Sequence, residues 1–121
     1  MSNEYVMTIS GIVFYLLKIS LPDNSTVYVE LLDVTARHSP AKKLAEQVIT
    51  NAEKKQLSFD LLYKAADVLP DHHYEISARI ETSGQVIYQT IKPHRVVLGV
   101  NHLRPEDVVV RPVREKPSIK F

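Results

Sequence analysis

Hydrophobic and polar residues alternate along two stretches of this chain. In residues 57–63 the odd-numbered positions are large and apolar, and in residues 74–81 the even-numbered positions are apolar. A period of two places one set of side chains on one face of a strand. The pattern therefore predicts two half-buried strands of an antiparallel sheet, with a shared core of Phe59, Leu61, Ile76, Ala78 and Ile80.

Turn-forming residues divide the rest of the chain into further short strands. Ser83-Gly84 separates two strand-like runs and predicts a tight hairpin. Four turn formers follow Leu21, and Pro93 and Pro105 punctuate the later part of the chain. About seven short strands with turn signals between them predict an all-β fold. The expected architecture is a small antiparallel β-sandwich, immunoglobulin-like or fibronectin-like in general form.

Residues 12–17 are apolar at consecutive positions, so both faces of a strand here would be apolar. Such a strand is either covered on both sides or crosses between two sheets. At least one of its faces therefore has to find cover from a second sheet, from the chain itself or from another molecule.

Residues 43–52 conflict with the all-β pattern. Leu44, Ala45, Val48, Ile49 and Ala52 recur at helical spacing, and the local pattern alone favours a helix. As a strand, the same segment would show few apolar residues on any one face.

Leu69 and Pro70 precede Tyr74, which opens a predicted strand. This spacing is similar to a tyrosine corner, in which the tyrosine hydroxyl bonds to upstream backbone. The alternative is an ordinary buried tyrosine at the start of a strand. In both interpretations Tyr74 and Pro70 are structural residues.

Composition excludes several classes of protein. The 121 residues are 45% hydrophobic, which suits a globular domain, predicted here to span residues 1–113. Fifteen Lys and Arg residues nearly balance fourteen Asp and Glu residues, so no nucleic-acid partner is expected. Cysteine is absent, which excludes disulfides, thiolate metal sites and cysteine nucleophiles.

Residues 114–121 are predicted to be a basic C-terminal tail. Four cations stand against the single acidic residue Glu115 in the last eleven residues. These cations are the candidate partner-binding residues: Arg111, Arg114, Lys116 and Lys120. The alternative is a solvated chain end without a role.

No catalytic or metal-binding motif stands out. The histidines at positions 38, 72, 73, 94 and 102 lack the spacing that places a pair on one face, so no metal and no cofactor is expected. The three glycines are too far apart for a phosphate-binding loop. The chain is therefore predicted not to be an enzyme. The alternative is a small-ligand-binding or hydrolytic domain that uses Asp71, His72 and nearby carboxylates.

The N-terminal sequence predicts neither a signal peptide nor a membrane span. Its longest apolar run, residues 11–17, is too short to cross a bilayer, and Met1 is not followed by basic residues. Either the protein is not exported and stays in the cytoplasm, or a leader preceded this chain. Any membrane attachment is then expected only through an anchor that this chain lacks.

Several stretches together resemble the YbaY/YscW family of bacterial lipoprotein domains, which includes type III secretion pilotins. They are an LP-led strand ending in L-x-D-V at 21–34, Ser39-Pro40-Ala41 with the segment 44–49, a strand closing on Tyr63, and Y-x-x-x-A-R-I at 74–80. Each piece is weak alone, but the combination covers roughly residues 9–100.

The resemblance implies a small antiparallel β-sandwich without a catalytic site, in which residues 44–50 form a strand. It also implies a non-catalytic protein-interaction module of the cell envelope, periplasmic or associated with the outer membrane, with a pilotin-like or chaperone-like role in assembly. Its partner would be another envelope protein bound at a sheet edge. Self-association of a purely structural domain is a further alternative.

Overall fold

The computed structural model describes residues 5–15, 20–36 and 39–113, and their regular secondary structure is almost entirely β-strand. The eight strands are β1 Val6–Tyr15, β2 Ser25–Asp33, β3 Lys42–Ile49, β4 Ser58–Lys64, β5 Tyr74–Thr82, β6 Gln85–Gln89, β7 His94–Val96 and β8 Glu106–Pro112. The two short 3-10 helices are Ala52–Lys54 and Ala65–Asp67. Within the described ranges, no helix has the length and apolar character needed to cross a bilayer.

The strands form one hydrogen-bonded sheet in the order β3-β2-β5-β6-β8-β1-β4, with β7 paired to β5 beside β6. The two ends of this order, β3 and β4, lie next to each other. Across this seam the backbone N–H of Asp60 donates to Gln47 Oε1 at 2.6 Å. A side chain therefore bridges the seam, and the sheet curls into a nearly closed barrel.

The all-β class is confirmed, but the predicted immunoglobulin-like sandwich is wrong. A sandwich would divide the strands between two stacked sheets, whereas here a single sheet closes on itself and has eight strands rather than about seven. Both architectures bury one face of every strand and therefore produce the same period-two alternation. The difference lies in which distant strands pair, and local pattern carries no information on that.

Strand β1 pairs with two other strands, and the two paired stretches of β1 overlap at its middle. It is antiparallel to β4 over Val6–Ile12 and parallel to β8 over Gly11–Tyr15. The parallel pair departs from the purely antiparallel sheet that was predicted. Gly11 lies between Phe59 and Glu106, and a Cβ there would stand 2.2 Å from the Glu106 carbonyl oxygen and 2.6 Å from Phe59 Cζ. Only glycine fits this crowded crossing.

Alternate residues of each strand fill the barrel interior. Strands β4 and β5 occupy the two alternating stretches, and their five expected core residues are each at most 2% exposed. These residues are Phe59, Leu61, Ile76, Ala78 and Ile80. They share a single core with inward residues of β1, β2 and β8.

The segment that favours a helix is strand β3. In its ladder with β2, Leu31 pairs with Ala45 and Leu32 pairs with Lys43, so Leu44 is an extra residue at a β-bulge. The bulge leaves Leu44 and Ala45 half-buried side by side, which breaks the alternation. Two adjacent apolar residues followed by another pair four positions later imitate helical spacing, which explains why the local pattern was misleading.

Two turns organise the chain around β5. Ser83 and Gly84 both have positive φ, 52° and 77°, so the β5–β6 connection is the predicted tight hairpin. Before β5, the hydroxyl of buried Tyr74 accepts a hydrogen bond from the Leu69 N–H at 2.7 Å. This is the contact of a tyrosine corner, and the exposed Pro70 lies in the turn that it spans.

Candidate interaction surface

The outer face of the barrel carries an apolar patch where β1 and β8 lie side by side. Ile12 and Phe14 project outward from β1, Val109 projects from β8, and Ile91 belongs to the β6–β7 connection. We call these four residues the wall patch. Phe14 and Val109 are ladder partners, and Ile91 and Val109 line one groove of about 300 Å³. Phe14 is 42% exposed and Ile91 is 60% exposed, so the patch is open to solvent.

The wall patch follows from the sequence of β1. This strand is apolar on both faces: Ile9 and Val13 enter the core, whereas Ile12 and Phe14 point away from it. The core covers one face, and among the described residues the other remains exposed. The remaining apolar positions of the run, 16 and 17, lie outside the described residues.

Basic residues border the groove beside the wall patch. Lys92, His94 and Arg111 line it together with one acidic residue, Asp107. A neighbouring groove of about 660 Å³ shares Ile91 and Arg111. Arg111 is thus the one candidate partner-binding residue that the described structure places, and it lies at an apolar groove. Candidates Arg114, Lys116 and Lys120 lie outside the described residues.

One edge of β8 lies open along this groove. β6 pairs with β8 only at Arg111 and Pro112, and the Val113 N–H donates to the Ile87 carbonyl at 3.0 Å. The direction of the backbone N–H and C=O groups alternates along a strand, so the odd-numbered residues of β8 direct these groups toward the β6 side. Asp107 and Val109 continue this edge into the groove, where no strand of the described chain pairs with it. The free edge can accept a partner strand.

Asp71 and His72, the pair considered for hydrolysis, have different surroundings. Asp71 occupies a turn at φ 63°, whereas His72 Nδ1 lies 2.5 Å from Asp33 Oδ2. The Thr35 hydroxyl donates to Asp33 Oδ1 at 2.5 Å. The carboxylate thus stands between an imidazole and a hydroxyl, whereas nucleophilic catalysis needs the imidazole in the middle. The cluster joins the end of β2 to the start of β5.

Two opposing effects act on the pKa of Asp33. Burial raises it, but hydrogen bonds from Thr35 and His72 together outweigh burial and hold the pKa below its ordinary value of 3.8. The folded state therefore favours the carboxylate. A lowered pKa contributes stability that is present above the ordinary value and is lost as pH falls through the folded value.

We expect Asp33→Asn to lower the free energy of unfolding by about 1–2 kcal/mol near neutral pH, because an amide accepts these hydrogen bonds more weakly than a carboxylate. The difference from the wild type should shrink as the pH falls below about 4. Urea unfolding of both proteins across this pH range measures it. A difference that stays constant with pH would contradict this role of the Asp33 charge.

His94 and His102 each have a partner of their own. His94 Nε2 lies 3.2 Å from Glu106 Oε1, and His102 Nε2 lies 2.8 Å from the Tyr63 hydroxyl. His38 lies outside the described residues. In residues 5–15, 20–36 and 39–113, no three His, Cys, Asp or Glu side chains gather as metal ligands would.

Sequence reasoning identified the exposed apolar face of β1 as a face in need of cover, but it missed Ile91 and Val109 as members of the wall patch. Ile91 is separated from β1 by most of the chain. Only the fold brings it beside Val109, which is the ladder partner of Phe14 in β1. The available signal was the two-sided apolar character of β1, which indicated a face in need of cover.

Comparison with known proteins gives three consistent results. Residues 4–109 match the family model described as type III secretion system lipoprotein chaperone (YscW). The uncharacterized lipoprotein YbaY of Escherichia coli (strain K12) is 30% identical over 88 residues, which are 70% of this chain and 46% of YbaY. The chain thus spans about half the length of this curated relative.

A solved structure supports the same relationship. An alternative pilotin from the type II secretion system of Vibrio cholerae superposes with a TM-score of 0.80 at 30% sequence identity. The match covers 92% of this chain and all of the pilotin chain. The resemblance drawn from the sequence motifs is confirmed, and this chain belongs to the YscW family of type III secretion system lipoprotein chaperones.

Proposed function

We propose that this protein is a non-catalytic assembly factor of the bacterial cell envelope. It holds a short segment of an outer-membrane secretion protein, of the secretin type, on the wall patch and its groove. The observation that carries the proposal is the exposed apolar patch next to an open strand edge. Family membership supports a chaperone or pilotin role and, with it, a location in the periplasm or at the outer membrane.

The chemistry of the groove specifies the kind of segment. Its apolar floor at Ile91 and Val109 suits aliphatic or aromatic side chains. Lys92 and Arg111 at its border suit acidic ones, and the edge of β8 at Asp107–Val109 suits an extended backbone. The expected ligand is therefore a short strand-forming segment with both apolar and acidic residues.

The proposal is tested with labelled synthetic peptides that together cover the sequence of a secretin, measured by fluorescence anisotropy. We expect Phe14→Glu and Val109→Glu to weaken binding at least about tenfold, because each places a charge in an apolar contact. Val48→Glu is the matched control, because Val48 is 44% exposed on the outer face of β3, outside the wall patch. Equal binding by wild type, patch variants and control would contradict the proposal.

The basic tail is tested in the same assay. Deletion of residues 114–121 removes Arg114, Lys116 and Lys120 but retains Arg111. If the tail steers an acidic partner, deletion weakens binding at low salt and has little effect at high salt. Unchanged affinity at low salt would leave recognition to Arg111 and the wall patch.

A further inference from the structure

A bulge in the segment after β6 creates the open edge of β8. On one side of this bulge the Thr90 N–H donates to the Ala78 carbonyl at 3.0 Å, and on the other side His94 pairs with Ile76. A step of two residues in β5 therefore faces a step of four residues in the neighbouring segment. The two extra residues form a bulge within 91–93, and this bulge takes the segment off the line that β6 follows.

The bulge interrupts the ladder along β8. Gln89 pairs with Arg111, so a regular continuation of β6 would bring the residues two and four positions after Gln89 opposite Val109 and Asp107. Both of these residues belong to the bulge instead, and the second is Pro93, which has no N–H to donate. The edge of β8 is therefore open at Val109 and Asp107, and β6 closes it at Arg111.

A side-chain contact closes the groove at its other end. His94 Nε2 lies 3.2 Å from Glu106 Oε1, and this contact joins β7 to the first residue of β8. Because Glu106 is engaged by His94, Asp107 is the carboxylate that is left to a ligand of the groove. A segment bound along β8 has to leave the edge here, so the opening suits only a short extended stretch.

The exposed side chains of β8 have a fixed order of charge. Asp107, Val109 and Arg111 alternate with buried residues of the strand and therefore share its outer face. Within the described ranges, neither Asp107 nor Arg111 forms an ion pair. The groove thus presents an anionic end, an apolar middle and a cationic end, and both charges are available to a ligand.

One further charged residue lines the groove. Lys92 lies on the bulge, across the groove from β8, and the groove therefore carries more positive than negative charge. Its flexible stem allows the ammonium group to approach an acidic residue of a bound segment. The acidic residue of a ligand is therefore expected to contribute more to binding than the basic one.

We infer that the groove selects its segment by the order of charges, an inference that rests on the proposed function. The segment runs antiparallel to β8, as β6 does at the same edge, because antiparallel pairing is the more stable arrangement. An apolar residue lies over Val109, an acidic residue two positions earlier lies beside Arg111, and a basic residue two positions later lies beside Asp107. The acidic residue contacts Arg111 through its side chain alone, because Gln89 occupies the backbone edge there.

Two labelled peptides of identical composition test this order. Each has a central Val in a Thr background: the first has Glu two positions before Val and Lys two positions after it, and the second has Glu and Lys exchanged. Fluorescence anisotropy with the full chain at low salt should show about fivefold tighter binding of the first peptide, because the exchange replaces opposite-charge pairs by like-charge pairs. About 0.5 M salt should weaken this preference, because the charges are exposed.

Equal binding of the two peptides overturns the inference but not the proposed function, because the secretin peptides can still bind to the wall patch. Absence of binding by both peptides also overturns the inference. The secretin peptides then decide the proposed function separately.

A charge exchange on β8 gives the matched variant. In the double variant Asp107→Arg, Arg111→Asp the composition is kept and the order of charges is reversed, so the second peptide should bind about fivefold more tightly than the first. Both side chains lie on the outer face, so the urea midpoint should stay that of the wild type. Retention of the wild-type preference by the folded double variant overturns the roles of these two residues.

Neutral single variants test each end of the groove alone. Arg111→Gln and Asp107→Asn should each reduce the preference for the first peptide to about twofold, because one of the two charge pairs remains. A full fivefold preference in both variants would contradict the inference, since the order would then be read by other residues.

Discussion

Phe59→Ala is expected to lower the free energy of unfolding by about 3–5 kcal/mol. The Phe59 ring is 1% exposed and lies over Gly11, in the ladder between β1 and β4. Its removal leaves a cavity at the crossing of two ladders, where backbone pairing limits collapse. Urea unfolding followed by circular dichroism measures the loss.

Phe14→Ala is the matched control for this prediction. The side chain deleted is the same, but Phe14 is on the outer face of β1 and 42% exposed. Its loss should change the free energy of unfolding by less than about 1 kcal/mol. Equal losses in the two variants would contradict the inward and outward assignment of β1 and β4. The same control variant reports on the wall patch in the peptide-binding assay.

Gly11→Ala is expected to lower the free energy of unfolding by about 3 kcal/mol, at the upper end of the usual cost of overpacking. The new methyl group would stand 2.2 Å from the Glu106 carbonyl oxygen, so β1 and β8 would have to move apart. Gly84→Ala is the control, because Gly84 has positive φ but open space around its Cα. It should cost only about 1 kcal/mol, from backbone conformation alone.

A double variant separates the two contacts of Gly11. In a Phe59→Leu background the ring contact disappears, but the Glu106 carbonyl remains where it was. Gly11→Ala should therefore still destabilise this background substantially. If it became neutral there, the ring alone would be the reason for the glycine, and the close approach of β1 and β8 would be contradicted.

Much of the local structure could be predicted from the residues alone. Alternation in 57–63 and 74–81 predicted β4, β5 and their buried faces, and Ser83-Gly84 predicted the hairpin. Their pattern depends only on neighbours in sequence, because a strand face and a two-residue turn are local properties. The family motifs were also contiguous, and for that reason they could be recognised.

Other features depended on contacts between residues far apart in the chain. The bulge at Leu44 is defined by pairing with β2, and the barrel rather than a sandwich is defined by the neighbouring edges of β3 and β4. The groove beside the wall patch exists because β8 pairs in parallel with β1 but with β6 only at its own C-terminal end, so the segment after β6 lies apart from β8. The sequence by itself determined the apolar faces of β4 and β5 and the two-sided apolar character of β1. Only the tertiary structure decided which apolar faces meet, and hence which ones, at Phe14 and Leu103, remain exposed.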